Sequence, residues 1–99
     1  MAIQHLVLLR FTPSTPADEI AACMKDFAEL PKQIGGILAF ECGADVSPEG
    51  QSKGFTHAAI VTFVDAAARD AYLPHPAHLA FVGRLKPCLA DVLVFDFVI

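Results

Sequence analysis

The chain has 99 residues, 55% of them hydrophobic, and a formal charge of -4 from seven Lys and Arg against eleven Asp and Glu. That length gives a single domain over residues 1–99, small enough to bury only about two-thirds of its unfolded surface. Without a basic cluster or aromatic-basic interleaving, the composition excludes nucleic acid as a partner. It also excludes a membrane, because no apolar run approaches the roughly 18 residues of a span.

The mean hydropathy of +0.51 is high for a water-soluble domain. Cys23, Cys42 and Cys88 are odd in number, far apart and free of any CxxC spacing. They read as reduced thiols of a cytoplasmic protein, with a disulfide or metal site as the alternative. The opening segment has a strand pattern rather than a signal-peptide layout.

Residues 2–11, "AIQHLVLLRF", predict a strand with Ile3, His5, Val7, Leu9 and Phe11 on one face. Gln4, Leu6, Leu8 and Arg10 take the other. A helix then opens at "TPADEI", with Thr15 as cap, Pro16 in the first turn and Asp18 at the third helical position. Ile20, Cys23, Met24, Phe27, Leu30 and Ile34 form its apolar stripe. Pro31 kinks or ends it, and Gly35-Gly36 stops it. "ILAFECGADV" is a second strand, and "FTHAAIVTFV" a third with Phe55, His57, Ala59, Val61 and Phe63 on one face. A short helix, "DAAARDAYL", precedes a further helix opened by Pro76. "DVLVFDFVI" is the last strand.

The order β-α-β-β-α-β, with its second helix split, predicts an α+β ferredoxin-like sandwich with helices on one face of an antiparallel sheet. Strands one, three and four are apolar on both faces, yet helices cover only one. Leu6, Leu8, Ala58 and Ile60 would then lie in water. A patch of that kind marks an interface, and a second copy, sheet against sheet, closes it most simply. The expectation is a homodimer through the open sheet face.

The segment "AYLPHPAHLAF" gathers Tyr72, His75 and His78 at a helix junction broken by Pro74 and Pro76. His75 falls near the cap of the second half-helix, although histidine is a poor capping residue. His78 falls in its first turn, where the positive dipole end disfavours imidazolium and suits a general base. Tyr72 lies a turn away and can donate to a developing oxyanion. The bland reading is a turn with exposed rings. His5 and His57 stand on the helix-facing side of adjacent strands, either as satisfied core histidines or as pocket residues. The spacing of the four histidines fits no zinc pattern.

Together, "HLVLLRF", "GFTHAAIVTF", "YLPHPAHLAFV" and "VLVFDF" resemble the stress-responsive A/B barrel (Dabb) family over almost the whole chain. The resemblance implies a ferredoxin-like protomer and a dimeric α/β barrel. One plant member is a cofactor-independent polyketide cyclase that performs an aldol condensation. Its motifs imply catalytic roles for Tyr72 and His78 and pocket roles for His5 and His57. Phe27, Val7 and Ala59 complete the implied substrate-binding wall, with Phe27 standing where that member carries a tyrosine.

Three functional readings follow. The first is a small-molecule lyase or cyclase in which His78 removes a proton next to a carbonyl and Tyr72 stabilises the enolate. It needs no cofactor, since the carbonyl is the electron sink. The alternative is a non-catalytic stress protein that holds a hydrophobic ligand. Oxygenase chemistry is a third reading, by analogy of fold alone.

Overall fold

Strict alternation of burial along the first strand sets the architecture. In the computed structural model, which describes Met1 to Ile99, β1 spans Ile3–Phe11 and its odd-numbered residues are all buried. Leu9, Val61 and Phe63 are almost wholly enclosed. Each large side chain so buried contributes about 1.5–3 kcal/mol. The remaining elements are α1 (Ala17–Glu29), β2 (Ile37–Ala44), β3 (His57–Phe63), α2 (Ala66–Tyr72), α3 (Pro76–Leu85) and β4 (Leu89–Val98). The four strands form one antiparallel sheet in the order β2-β3-β1-β4. This is the ferredoxin-like α+β sandwich, with helices on one face.

Local chemistry explains the helix ends. Pro31 ends α1 in a single 3-10 turn, Leu30–Lys32, rather than kinking it. Thr15 does not cap α1. Pro16 takes the cap position, with no side-chain cap, and Asp18 becomes the second helical residue. The Thr15 hydroxyl is instead engaged by Thr12 Oγ1 at 2.6 Å and by the Cys88 carbonyl at 3.3 Å. It thus ties the entry of α1 to the start of β4 at the expense of a cap.

Gly36 has a positive φ of 84°. A Cβ there would sit 2.7 Å from the Ala68 Cβ, so only glycine lets the α1–β2 turn approach α2. Gly36→Ala should cost at least about 1–2 kcal/mol for the left-handed backbone alone. A lowered urea midpoint with an unchanged slope would register it; an unaltered midpoint would show that the turn shifts freely.

The open sheet face carries Leu6, Leu8 and Ile60 with Leu93, Phe95 and Phe97 of β4 beside them in register. Phe95 is 59% exposed. No helix of the chain is long and apolar enough to cross a membrane.

Candidate functional site

Asp65 starts α2 by accepting a hydrogen bond from the Ala68 amide at 2.8 Å. That helix ends on Tyr72, which is 1% exposed. The break to α3 is made by Pro74 and Pro76, and His75 caps α3 after all: its Nδ1 accepts from the Ala77 amide at 3.0 Å. The imidazole nitrogen thus does what a serine or asparagine oxygen does elsewhere. His78 is the third residue of α3, and its Nδ1 lies 2.9 Å from the Leu73 carbonyl. A carbonyl only accepts, so Nδ1 carries the proton and Nε2 keeps a free lone pair.

Between α3 and the β1–β4 half of the sheet lies a cavity of about 370 Å3. His5 and Val7 line it from β1, Phe27 from α1, Tyr72 from α2, His78 and Phe81 from α3, and Val92 and Val94 from β4. Ten of its thirteen lining residues are hydrophobic, so any hydrogen bond inside it is little screened by water. The Tyr72 and His78 rings are 4.3 Å apart, and those of Tyr72 and His5 are 6.0 Å apart. The Tyr72 hydroxyl has no protein partner. Since no polar side-chain atom is both sealed and unpaired, it opens on the cavity.

Burial sets the ionisation of this pair. It pushes the Tyr72 phenol well above its ordinary value, so the hydroxyl stays a donor. It also lowers the His78 imidazole below 6.5, an effect the Leu73 carbonyl opposes and the neighbouring His5 and His75 reinforce. His78 is therefore neutral at pH 7, with its lone pair available.

Not every residue expected here arrives. His57 and Ala59 do not line the cavity. His57 does share a sheet face with His5, but the antiparallel register puts it opposite Leu9, four residues along β1. At about 3.3 Å per residue that is a gap of roughly 13 Å. There it packs edge-on against Phe11 and bonds Thr56 Oγ1 at 2.8 Å. Ala59 is sealed in the core opposite Val7.

Two residues that the sequence patterns missed also belong to the site. Asp96 pairs with His5 across β1–β4, and its Oδ1 accepts from His5 Nδ1 at 2.6 Å. Its other oxygen accepts from Arg69 Nη1 at 3.0 Å. The bond to Asp96 fixes the orientation of the His5 ring through Nδ1. The signal was present: an acid in an otherwise apolar strand, "VLVFDFV", on the helix-facing side.

The cysteines are all free, but Cys23 and Cys88 are not far apart, because their thiols meet between α1 and the start of β4. Cys88 Sγ also lies 3.3 Å from Glu19 Oε1, and burial pushes this thiol up to about 11. It stays protonated and is a poor nucleophile.

Fold and cavity together define a ferredoxin-like α+β protein with an apolar chamber under a split second helix. Residues 3–99 match the model of the Stress responsive A/B Barrel Domain, and the chain belongs to that family. It is 28% identical over 97 residues to olivetolic acid cyclase of Cannabis sativa, covering 98% of this chain and 96% of the cyclase. A crystal structure of an Arabidopsis thaliana protein superposes with a TM-score of 0.92 at 33% identity, over 98% of this chain and 94% of that one. A dimeric ferredoxin-like protein of unknown function from Jannaschia superposes with a TM-score of 0.87 at 28% identity, over the full length of both chains.

Proposed function

We propose that the cavity is the active site of a cofactor-independent lyase or cyclase that moves a proton next to a carbonyl. The observation that carries this reading is the Tyr72–His78 pair, ring to ring at 4.3 Å, with His78 Nδ1 anchored on the Leu73 carbonyl. Nε2 of His78 takes the proton alpha to a bound carbonyl. The electron pair of that C–H bond moves onto the carbonyl oxygen, giving an enolate. The Tyr72 hydroxyl donates a hydrogen bond to this oxygen, where negative charge develops. The enolate carbon then attacks a second carbonyl in an aldol step, or it is reprotonated by His78. His5, oriented by Asp96 and Arg69, offers a further polar contact in the same chamber. Val7 and Phe27 supply apolar wall. Similarity to olivetolic acid cyclase supports the same class of chemistry.

The test is exchange of alpha protons for deuterium in a panel of β-dicarbonyl and polyketide-like compounds. Exchange by the wild type above that of a Tyr72→Phe/His78→Ala double variant supports the proposal. Compounds that bind without any such exchange would make the protein a carrier of hydrophobic molecules instead.

We infer further that two copies pair through the open sheet face. The exposed side chains of Ile60, Leu93, Phe95 and Phe97 support it, as does the dimeric Jannaschia neighbour. Three free thiols support a reducing, cytoplasmic setting.

A further inference from the structure

The cavity has two chemically different ends. One holds His5, Tyr72 and His78. The other lies past the end of α3, where Leu85, Lys86 and Leu89 close the lining. Lys86 follows His78 by eight residues, about 12 Å along a helix axis at 1.5 Å per residue. The sheet gives an independent ruler. Asp96, the partner of His5, is four residues from the lining residue Val92, about 13 Å of strand. Val94, Val92 and Leu89 make the wall between the ends apolar.

Charge singles out the second end. The protein carries a formal charge of -4, yet not one Asp or Glu lines the cavity. Lys86 is the only Lys or Arg in the lining, and none of the six ion pairs uses it. It stands at the C-terminal end of α3, where the helix dipole favours a cation, so its place needs no ligand to be stable. Lys86 is an exposed residue at the rim of the chamber, and no acidic lining residue competes for its ammonium.

We propose that the cavity takes a two-ended ligand: a carbonyl at the Tyr72–His78 end, an apolar chain, and an anionic group such as a carboxylate on Lys86. This rests on the cavity being a small-molecule site, as proposed above, but not on the proton transfer. The long axis sets the spacing of carbonyl and anion at about 12 Å. Neutral molecules of the same length fill the chamber without using its one cation.

A matched pair of ligands tests it: a medium-chain keto acid whose ketone is remote from its carboxylate, and the methyl ester of the same acid. Their affinities are measured by calorimetry on the wild type and on Lys86 variants. The acid is expected to bind about fivefold tighter than the ester, the upper range for a solvent-accessible ion pair. Added salt should shrink that preference. Lys86→Arg keeps it, Lys86→Met equalises the two, and Lys86→Glu makes the ester the tighter ligand. Equal affinities in the wild type, a preference that survives Lys86→Met, or binding of neither compound overturns the inference. Alpha-deuterium exchange of the ester is scored separately. It reads the chemistry at His78, so a failure of one reading is distinguishable from a failure of the other.

Discussion

His78→Ala is expected to slow alpha-proton exchange by roughly two to four orders of magnitude, the usual cost of removing a general base. Tyr72→Phe should cost about two to three orders, as for the loss of one oxyanion donor. The two groups act on one transition state, so the double variant should lose less than the product of the single losses. The fold is expected to survive the first change, which removes the bond from His78 Nδ1 to the Leu73 carbonyl, worth about 1 kcal/mol, and the ring contact with Tyr72. His75→Ala is the contrasting control. It removes the cap of α3 and should lower stability by about 1 kcal/mol, with a far smaller effect on rate. If His75→Ala abolished exchange while His78→Ala spared it, the assignment of the base would be wrong.

Leu8→Asp should convert a dimer to a monomer. Leu8 sits in the middle of the open face, opposite Ala58 on one side and Leu93 on the other. A carboxylate there would be taken out of water among apolar side chains when two such faces close, and burying a charge costs several kcal/mol. The wild-type face gains roughly 1.5–3 kcal/mol for each large apolar side chain it buries, with Leu8, Ile60, Phe95 and Phe97 as the main contributors. Sedimentation at micromolar concentration should show a wild-type dimer and a Leu8→Asp monomer. A wild-type monomer would leave the apolar face to some other partner.

Periodicity made the scaffold legible. The two-residue alternation of "IQHLVLLRF" and "HAAIVTF" separated a core face from an open face, and the structure keeps that division. The helix junction was legible too, because proline leaves few options for the chain around it. What periodicity does not carry is position along a strand. His5 and His57 share a face, but antiparallel register separates them by about 13 Å, and nothing local to either residue encodes that register. The same limit concealed Asp96. Its pairing with His5 joins residues from opposite ends of the chain, and Arg69 completes the contact from α2. Thr15 shows a further limit: a good capping residue was diverted by the tertiary partners Thr12 and Cys88. The meeting of Cys23 with Cys88 is likewise a product of helix packing, invisible in their spacing.

A neutral His78 imidazole with a bare Nε2 toward the cavity can be tested for without any substrate. Nitrogen-15 NMR of the histidine rings reports both tautomer and titration. His78 is expected to be protonated on Nδ1 and neutral at pH 7, with a midpoint below 6.5. The sign for stability follows. The unfolded chain binds this proton more readily than the folded one, so His78 favours the fold above pH 6.5. That contribution is lost as pH falls through its lowered folded midpoint. An Nε2-protonated tautomer at neutral pH, or a midpoint above 6.5, would remove the free base and rule out His78 as the group that takes the proton.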